Sequence, residues 1–338
     1  IFLLMLVAVL VVGSETKGAK SWFGVGDFGI QPSEFAKGAT ALALAKVLSS
    51  IDADFSKWRT KIASIFVIVV PMLLVFLQND TGSALVFASF VFVLFREGLS
   101  AYVLVFGAAL IVLFVSALLI DKYILVAILF ALCLVAWLVI KRKSHRTKVW
   151  LFLVCFLISS AVVFAVDVVF DKGLEQHQKD RIEVLLGKKE DLKGVGYNVN
   201  QSKIAIGSGG FLGKGFLNGT QTKYNFVPEQ DTDFIFCTIG EEWGFIGSSI
   251  TIILFLTLCI RLVKMAERQR SKFARIYGYG VASIIFFHFF VNIGMTIGLL
   301  PVIGIPLPFI SYGGSSLWAF TLLLFIFIRQ DASRLELI

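Results

Sequence analysis

Residues 101–120 read AYVLVFGAALIVLFVSALLI, without one charged side chain. A run of this kind is long enough to cross the hydrocarbon of a bilayer, which takes roughly 20 residues of helix. Inside lipid every backbone N–H and C=O needs an internal partner, so an uninterrupted apolar run of this length is a helix. Further apolar runs lie near 1–13, 33–49, 62–78, 83–96, 122–140, 149–170, 244–262, 276–299 and 316–328. With 57% hydrophobic residues, 16% charged residues and a mean hydropathy of +0.86, no soluble domain of this length is expected. The chain reads as an all-α polytopic membrane protein, a single helical bundle of about ten spans over residues 1–338. Residues 1–12 are too short to cross a bilayer and lack a basic flank or a small-residue cleavage site. They are expected to be the tail of a span that starts upstream, not a signal peptide. The run at 33–49 is Ala-rich and weakly apolar, so it is expected to pack inside the bundle.

Charge gives the orientation. Lys57, Arg59 and Lys61 fill one connection, Lys141, Arg142, Lys143, Arg146 and Lys148 a second, and Arg261, Lys264, Arg268, Arg270, Lys272 and Arg275 a third. Arg329 and Arg334 lie in the tail. Alternating spans put all four segments on one side, which the positive-inside rule makes cytoplasmic. The segments 14–32, 79–82, 171–232 and 300–315 then face outward. The segment 171–232 is one large extracytoplasmic loop. Its first part, KGLEQHQKDRIEVLLGKKEDLKG, suits an amphipathic surface helix, and its Gly-rich second part suits tight turns and close backbone approach.

Several chemistries are set aside. Cys133, Cys155, Cys237 and Cys259 lack metal-ligand spacing and read as small hydrophobes, and the three histidines form no HExxH-like cluster. The formal charge of +8 is explained by the basic connections, so it does not point to nucleic acid. GSGGFLGKG at 207–215 has Ser208 where a phosphate loop needs Gly, and Gly215 where it needs Ser or Thr, so nucleotide binding is rejected.

Seven segments then occur together and in order: QPSEFAK (31–37), LQNDTGSALV (77–86), HQKDRI (177–182), GYNVNQSKIAIGSGG (196–210), PEQDTDFIF (228–236), IGEEWGFIG (239–247) and NIGMTIGLLPVIGIPLPFISYGGSS (292–316). In these the chain resembles the SEDS family of bacterial cell-wall proteins (shape, elongation, division and sporulation). The GTQ triplet at 219–221 and Lys203 resemble its elongation members, RodA, more than its division members, FtsW. The pattern departs in two places. About two of the family's usual spans would lie upstream, and residues 101–148 carry what reads as an inserted helix pair. Asn79 also stands where the family commonly has Pro.

The resemblance implies a peptidoglycan glycosyltransferase that polymerises lipid II into β-1,4 glycan strands for cell-wall elongation in the bacterial plasma membrane. It implies a class B penicillin-binding protein as transpeptidase partner, together with other membrane proteins of the elongation complex. In that reaction an acceptor hydroxyl displaces undecaprenyl pyrophosphate with inversion. A carboxylate placed to take the hydroxyl proton contributes typically ~10²–10⁴-fold. No permanently bound cofactor is implied, and the anionic leaving group leaves Mg²⁺ or Mn²⁺ as an option.

Asp233 is the candidate general base, because the family's essential Asp falls on it. By spacing alone, Asp231, Thr232 and Asp233 read equally well as the cap of a helix starting at the next apolar run. Glu34 and Lys37 share a helix face and read either as the wall of a polar substrate cavity or as a packing ion pair. Asp80 lies in a short Asp-Thr-Gly turn that also matches a family motif. Arg181, Lys203 and Lys214, with His177 and Gln178, offer donors and positive charge to a pyrophosphate, or form a solvated basic face. The prolines at 301–316 exclude regular helix there, leaving a rigid turn or a cavity wall in which Ser311 and Tyr312 present hydroxyls. Paired charges and broken helices also suit a lipid II flippase, and the division and sporulation paralogues share the same motifs.

Overall fold

The computed structural model describes residues 1–16, 19–25, 28–50, 55, 57–143, 149–168, 170, 176–186 and 195–335. The chain divides into two compact units, residues 1–99 with 191–338 and residues 100–190. Every apolar run expected to span is helical. In the first unit these are α1 (Phe2–Val12), α2 (Pro32–Ser49), α3 (Trp58–Phe76), α4 (Thr81–Phe87) and α5 (Phe90–Arg96). Residues 14–32, expected as an outer loop, instead form a small antiparallel meander of β1 (Ser14–Thr16), β2 (Ala19–Val25) and β3 (Phe28–Ile30). Ser14 pairs with Trp22 and Phe23 with Ile30.

The second unit holds α6 (Ala101–Leu119), α7 (Lys122–Lys143), α8 (Val149–Val168) and α9 (Gln176–Leu185). There α8 packs on both α6 and α7, with Phe130 edge-on to Phe156. The Asp121 carboxylate accepts from the Tyr123 amide (2.9 Å), which caps α7. The helix α9 falls within the stretch expected to be amphipathic. The residues 144–148 and 187–194 of the expected basic connection and large loop lie outside the described residues, as do the side chains of His177 and Gln178.

The first unit continues with α10 (Val195–Ser208), α11 (Thr220–Lys223), α12 (Ile235–Glu267), α13 (Lys272–Thr296) and α14 (Gly314–Ala332). Among the described residues, α3, α6, α12 and α13 are long and apolar enough to cross a membrane by length and composition. The central helix is α13, buried along most of its length and packed on α2, α5, α12 and α14. Its small residues allow this: a Cβ at Gly278 would lie 2.4 Å from the Phe327 ring. In lipid, where apolar surface gives no drive toward association, such close backbone approach is what holds helices together. As expected, α2 is inside, buried at Ala36, Ala41, Leu44 and Leu48.

Two corrections concern the Gly-rich stretch. Its first part is the helix α10, not turns, because Val199, Ser202 and Ala205 share a face that is buried and the Ser202 hydroxyl donates to the Thr296 carbonyl (2.9 Å). And α12 starts at Ile235, before its apolar run, and breaks at Gly244 (φ 61°, ψ −155°). That break frees backbone groups which must find partners. The loop after α10 supplies them. Lys214 and Gly215 amides donate to the Glu241 and Glu242 carbonyls (3.0 and 2.9 Å), and Phe245 and Ile246 amides donate to the Gly210 and Phe211 carbonyls (2.9 and 3.2 Å). Gly213 makes this fit possible: at φ +82°, a Cβ there would lie 2.1 Å from the Glu242 carbonyl oxygen.

Gly213→Ala is therefore expected to cost more than about 1 kcal/mol, through strain at positive φ and the clash with Glu242. Gly207→Ala, in the same run but with open space at its Cβ, is expected to leave stability unchanged or slightly raised. Thermal unfolding of the two variants in detergent checks this; equal midpoints would remove the interlock.

Candidate active site

Five helix ends converge at one end of the first unit: the N-termini of α2, α4, α12 and α14, and the C-terminus of α13. The loop 301–313 runs between them. With Pro301, Pro306 and Pro308 it cannot be helix, and its polar groups are met individually. Asn292 on α13 donates from its amide to the Ile305 carbonyl and to the Asp233 carbonyl, both at 2.8 Å. The Ser311 hydroxyl donates to the Thr232 carbonyl (2.6 Å) and accepts from the Leu307 amide (2.8 Å). The Tyr312 amide donates to the Asp231 carbonyl (2.8 Å). The turn segment 231–233 is thus laced to the loop on one side.

Asp233 sits at this seam, half-buried. Gly304, at φ +71°, faces it: a Cβ there would lie 3.3 Å from Asp233 Oδ2. The N-cap of α12 is Phe234, so Asp233 lies one residue outside the helix. On the loop's other side a Cβ at Gly82 would lie 2.3 Å from the Ile303 carbonyl. Next to Gly82, Asp80 accepts from the Ser83 amide (3.0 Å) as the N-cap of α4, and from Gln31 Nε2 (2.8 Å). The Gln31 amide in turn donates to the Ser315 hydroxyl (3.2 Å).

Deeper in the bundle the same loop meets a buried chain of ionisable groups. Lys37 Nζ donates to Glu34 Oε1 (2.7 Å) and lies 3.0 Å from His288 Nε2. His288 Nδ1 lies 3.0 Å from the Pro306 carbonyl. A carbonyl only accepts, so Nδ1 carries the proton, and the lone pair on Nε2 accepts from the ammonium. The imidazole thus links Lys37 to the loop, accepting at one nitrogen and donating at the other. Glu34, Lys37 and His288 are almost fully buried, at 4%, 2% and 1% exposure, with Phe320 against both Lys37 and His288. Glu34 Oε2 has no hydrogen-bond partner.

Not every expected residue joins this end. Lys214 is taken up by Glu241, whose wholly buried carboxylate accepts from Lys214 Nζ (2.7 Å), the Gln221 amide (2.9 Å) and the amide and hydroxyl of Thr222 (2.9 Å each). It ties the GTQ turn to α12. Ser311 spends its hydroxyl on the Thr232 carbonyl and the Leu307 amide, and Tyr312, 80% exposed, gives its amide to the Asp231 carbonyl. Lys203 is exposed on α10 with its Cε against Gly298. Arg181 lies on α9, in the second unit. Sequence reasoning missed His288, Asn292, Glu241 and Gln31. The first three carry a signal, since a polar side chain inside an apolar helix is costly unless it has a partner or a task. Among the described residues no group of three or more His, Cys, Asp or Glu side chains could hold a metal ion, and all four cysteines are free thiols.

The family described as "Cell cycle protein" (FtsW/RodA/SpoVE) matches residues 1–127 and 109–335. The peptidoglycan glycosyltransferase MrdB of Escherichia coli K12 is 36% identical over 94% of this chain and 72% of its own length. The peptidoglycan glycosyltransferase RodA of Treponema pallidum is 34% identical over 94% of this chain and 78% of its own. A solved structure described as "Structural coordination of polymerization and crosslinking by a peptidoglycan synthase complex" superposes with a TM-score of 0.68 at 28% identity, covering 99% of this chain and 80% of that one.

Lys37→Met would strand the Glu34 carboxylate without a partner in the bundle and is expected to cost about 3–5 kcal/mol. Combining it with Glu34→Gln is expected to recover much of that loss. A double-mutant cycle on thermal stability reads the coupling directly, and simple additivity of the two losses would dismiss the pairing.

Proposed function

Because the chain belongs to the FtsW/RodA/SpoVE family and is a multi-pass membrane peptidoglycan glycosyltransferase, we propose that it polymerises lipid II with Asp233 as general base. The acceptor saccharide's hydroxyl attacks the anomeric carbon of the donor, and Asp233 takes its proton. The new C–O bond forms as the bond to the lipid pyrophosphate breaks, so an α-linked donor gives a β-linked strand. Positioning and proton removal are the two contributions the protein makes to such a step.

The observation that carries this reading is the half-buried Asp233 carboxylate held against Gly304 at the seam between segment 231–233 and the loop 301–313. The missing side chain at residue 304 keeps space in front of the carboxylate, and the Asn292 bond to its carbonyl fixes its backbone. The polar Asp80–Gln31 pair on the far side of the loop suits the sugar or pyrophosphate head. Lys203 is assigned to the pyrophosphate on charge alone. A divalent cation, where the reaction uses one, enters as counter-ion to that leaving group.

Asp233, Asp80, Gln31 and the loop 301–313 share one end of the bundle. The pairs Arg268–Asp331 and Arg96–Glu267 share the other, where the basic residues of 261–275 lie. That separation supports an active site facing outward from the bacterial plasma membrane. The GTQ triplet and Lys203 favour the elongation branch, and we assign the transpeptidase partner as a class B penicillin-binding protein, with lipid II as substrate. Residues 101–148 are read as an inserted helix pair.

The test is gel analysis of glycan chains made from labelled lipid II by the purified protein with its transpeptidase. Asp233→Asn is expected to lower chain elongation by at least ~10²-fold while keeping the thermal midpoint and the partner. Unchanged elongation by that variant would refute the assignment, and no polymerisation by the wild type would return the flippase reading.

A further inference from the structure

At the end of the bundle opposite Asp233, a groove of about 560 Å³ opens between α5, α12 and α13. Its walls are apolar, with Phe92, Leu256, Ile260 and Phe286 along its length. At its polar end stand Arg96, Lys264, Glu267 and Tyr279. Arg96 Nη2 donates to Glu267 Oε1 (2.6 Å) and to the Tyr279 hydroxyl (3.0 Å), and its guanidinium stacks over the Tyr279 ring at 5.0 Å. This fixed pair is neutral. Lys264 is exposed beside it with no side-chain hydrogen bond or ion pair among the described residues, so this end of the groove carries a positive charge beyond the Arg96–Glu267 pair.

Two hydroxyls also await an acceptor. Tyr279, only 6% exposed, accepts from Arg96 and has its own proton to give. Ser283, 8% exposed, lines the apolar part without a hydrogen-bond partner. Both hydroxyls border the groove, where a ligand can accept from them.

We propose that this groove is a binding site for an anionic glycerophospholipid of the leaflet at the basic end of the protein. The phosphodiester lies at Lys264, Arg96 and the Tyr279 hydroxyl. One acyl chain runs along Phe92, Leu256, Ile260 and Phe286. The volume falls in the range of ligand pockets, about 300–1,000 Å³. The chemistry selects the occupant. A groove between membrane helices is filled from the bilayer, and basic pockets between such helices bind anionic headgroups. A zwitterionic lipid would bring a choline or ethanolamine cation to an end that is already positive. The groove shares no residue with the Asp233 site, so this assignment stands or falls apart from the proposed polymerase mechanism.

The test is native mass spectrometry of the purified chain with palmitoyl-oleoyl phosphatidylglycerol, phosphatidylcholine as control, and thermal midpoint as second readout. Retention of phosphatidylglycerol, with a raised midpoint that phosphatidylcholine does not give, is the expected result. Lys264→Gln, on an exposed position that leaves the fold alone, is expected to weaken phosphatidylglycerol binding about tenfold, the loss of one charge-assisted contact. Ala282→Phe, which fills the groove from its floor, is expected to abolish it. Equal retention of the two lipids, or wild-type affinity for phosphatidylglycerol in Lys264→Gln, would overturn the proposal.

Discussion

Non-helical backbone at the end of a membrane bundle survives only if each of its polar groups is met by protein. The loop 301–313 satisfies that requirement through side chains buried on the neighbouring helix. Asn292 serves the Ile305 carbonyl and His288 the Pro306 carbonyl, so two turns of α13 hold two successive loop residues. Because those same side chains also reach Asp233 and Lys37, the loop is the common member of both polar clusters. Its prolines remove amides that would otherwise need acceptors of their own, which lowers the number of partners the bundle must supply.

The same accounting explains the Gly-rich stretch on the other flank of Asp233. A helix broken at Gly244 would expose Glu241 and Glu242 carbonyls and the Phe245 and Ile246 amides. The loop after α10 closes over them like an extra strand. The buried Glu241 carboxylate then holds Thr220, Gln221 and Thr222 from the opposite side. The segment that leads from this clamp to Asp233 is therefore anchored at both ends, and the acid is presented on backbone that has few ways to move.

Much of this could be read along the chain, and the reasons for the rest are physical. Apolar runs report helices because lipid permits little else, so α2 to α8 and α12 to α14 were foreseeable from single stretches. Asp233 is singled out by the family motif, since spacing alone reads it equally well as a helix cap. The meander of β1 to β3 was not, since KSWFGVGDFGI alternates too weakly to mark an apolar face. Nor were the partners of polar groups. The pairing of Lys37 with His288, or of Lys214 with Glu241, depends on which helices become neighbours, and hydropathy carries no record of that. The start of α12 was misplaced for the same reason, because IGEEWG looks too polar to be helical until the loop that neutralises it is in place.

The distribution of partners also separates the acids of this end of the bundle by what they can do. A general base needs a lone pair that an incoming hydroxyl can reach. Asp80 spends one oxygen on the Ser83 amide and the other on Gln31. Glu34 is sealed in the bundle against Lys37. Glu241 has no exposure, and its oxygens are shared among Lys214, Gln221 and Thr222. Asp233 alone combines a backbone pinned by Asn292 with partial exposure and a neighbour, Gly304, that has no side chain to block approach. Asp80 and Glu241 build the frame through bonds on both oxygens, and Glu34 is held by Lys37 through one. Under the proposed mechanism, Asp233 is the acid whose partial exposure and side-chain-free neighbour suit it to meet an incoming hydroxyl.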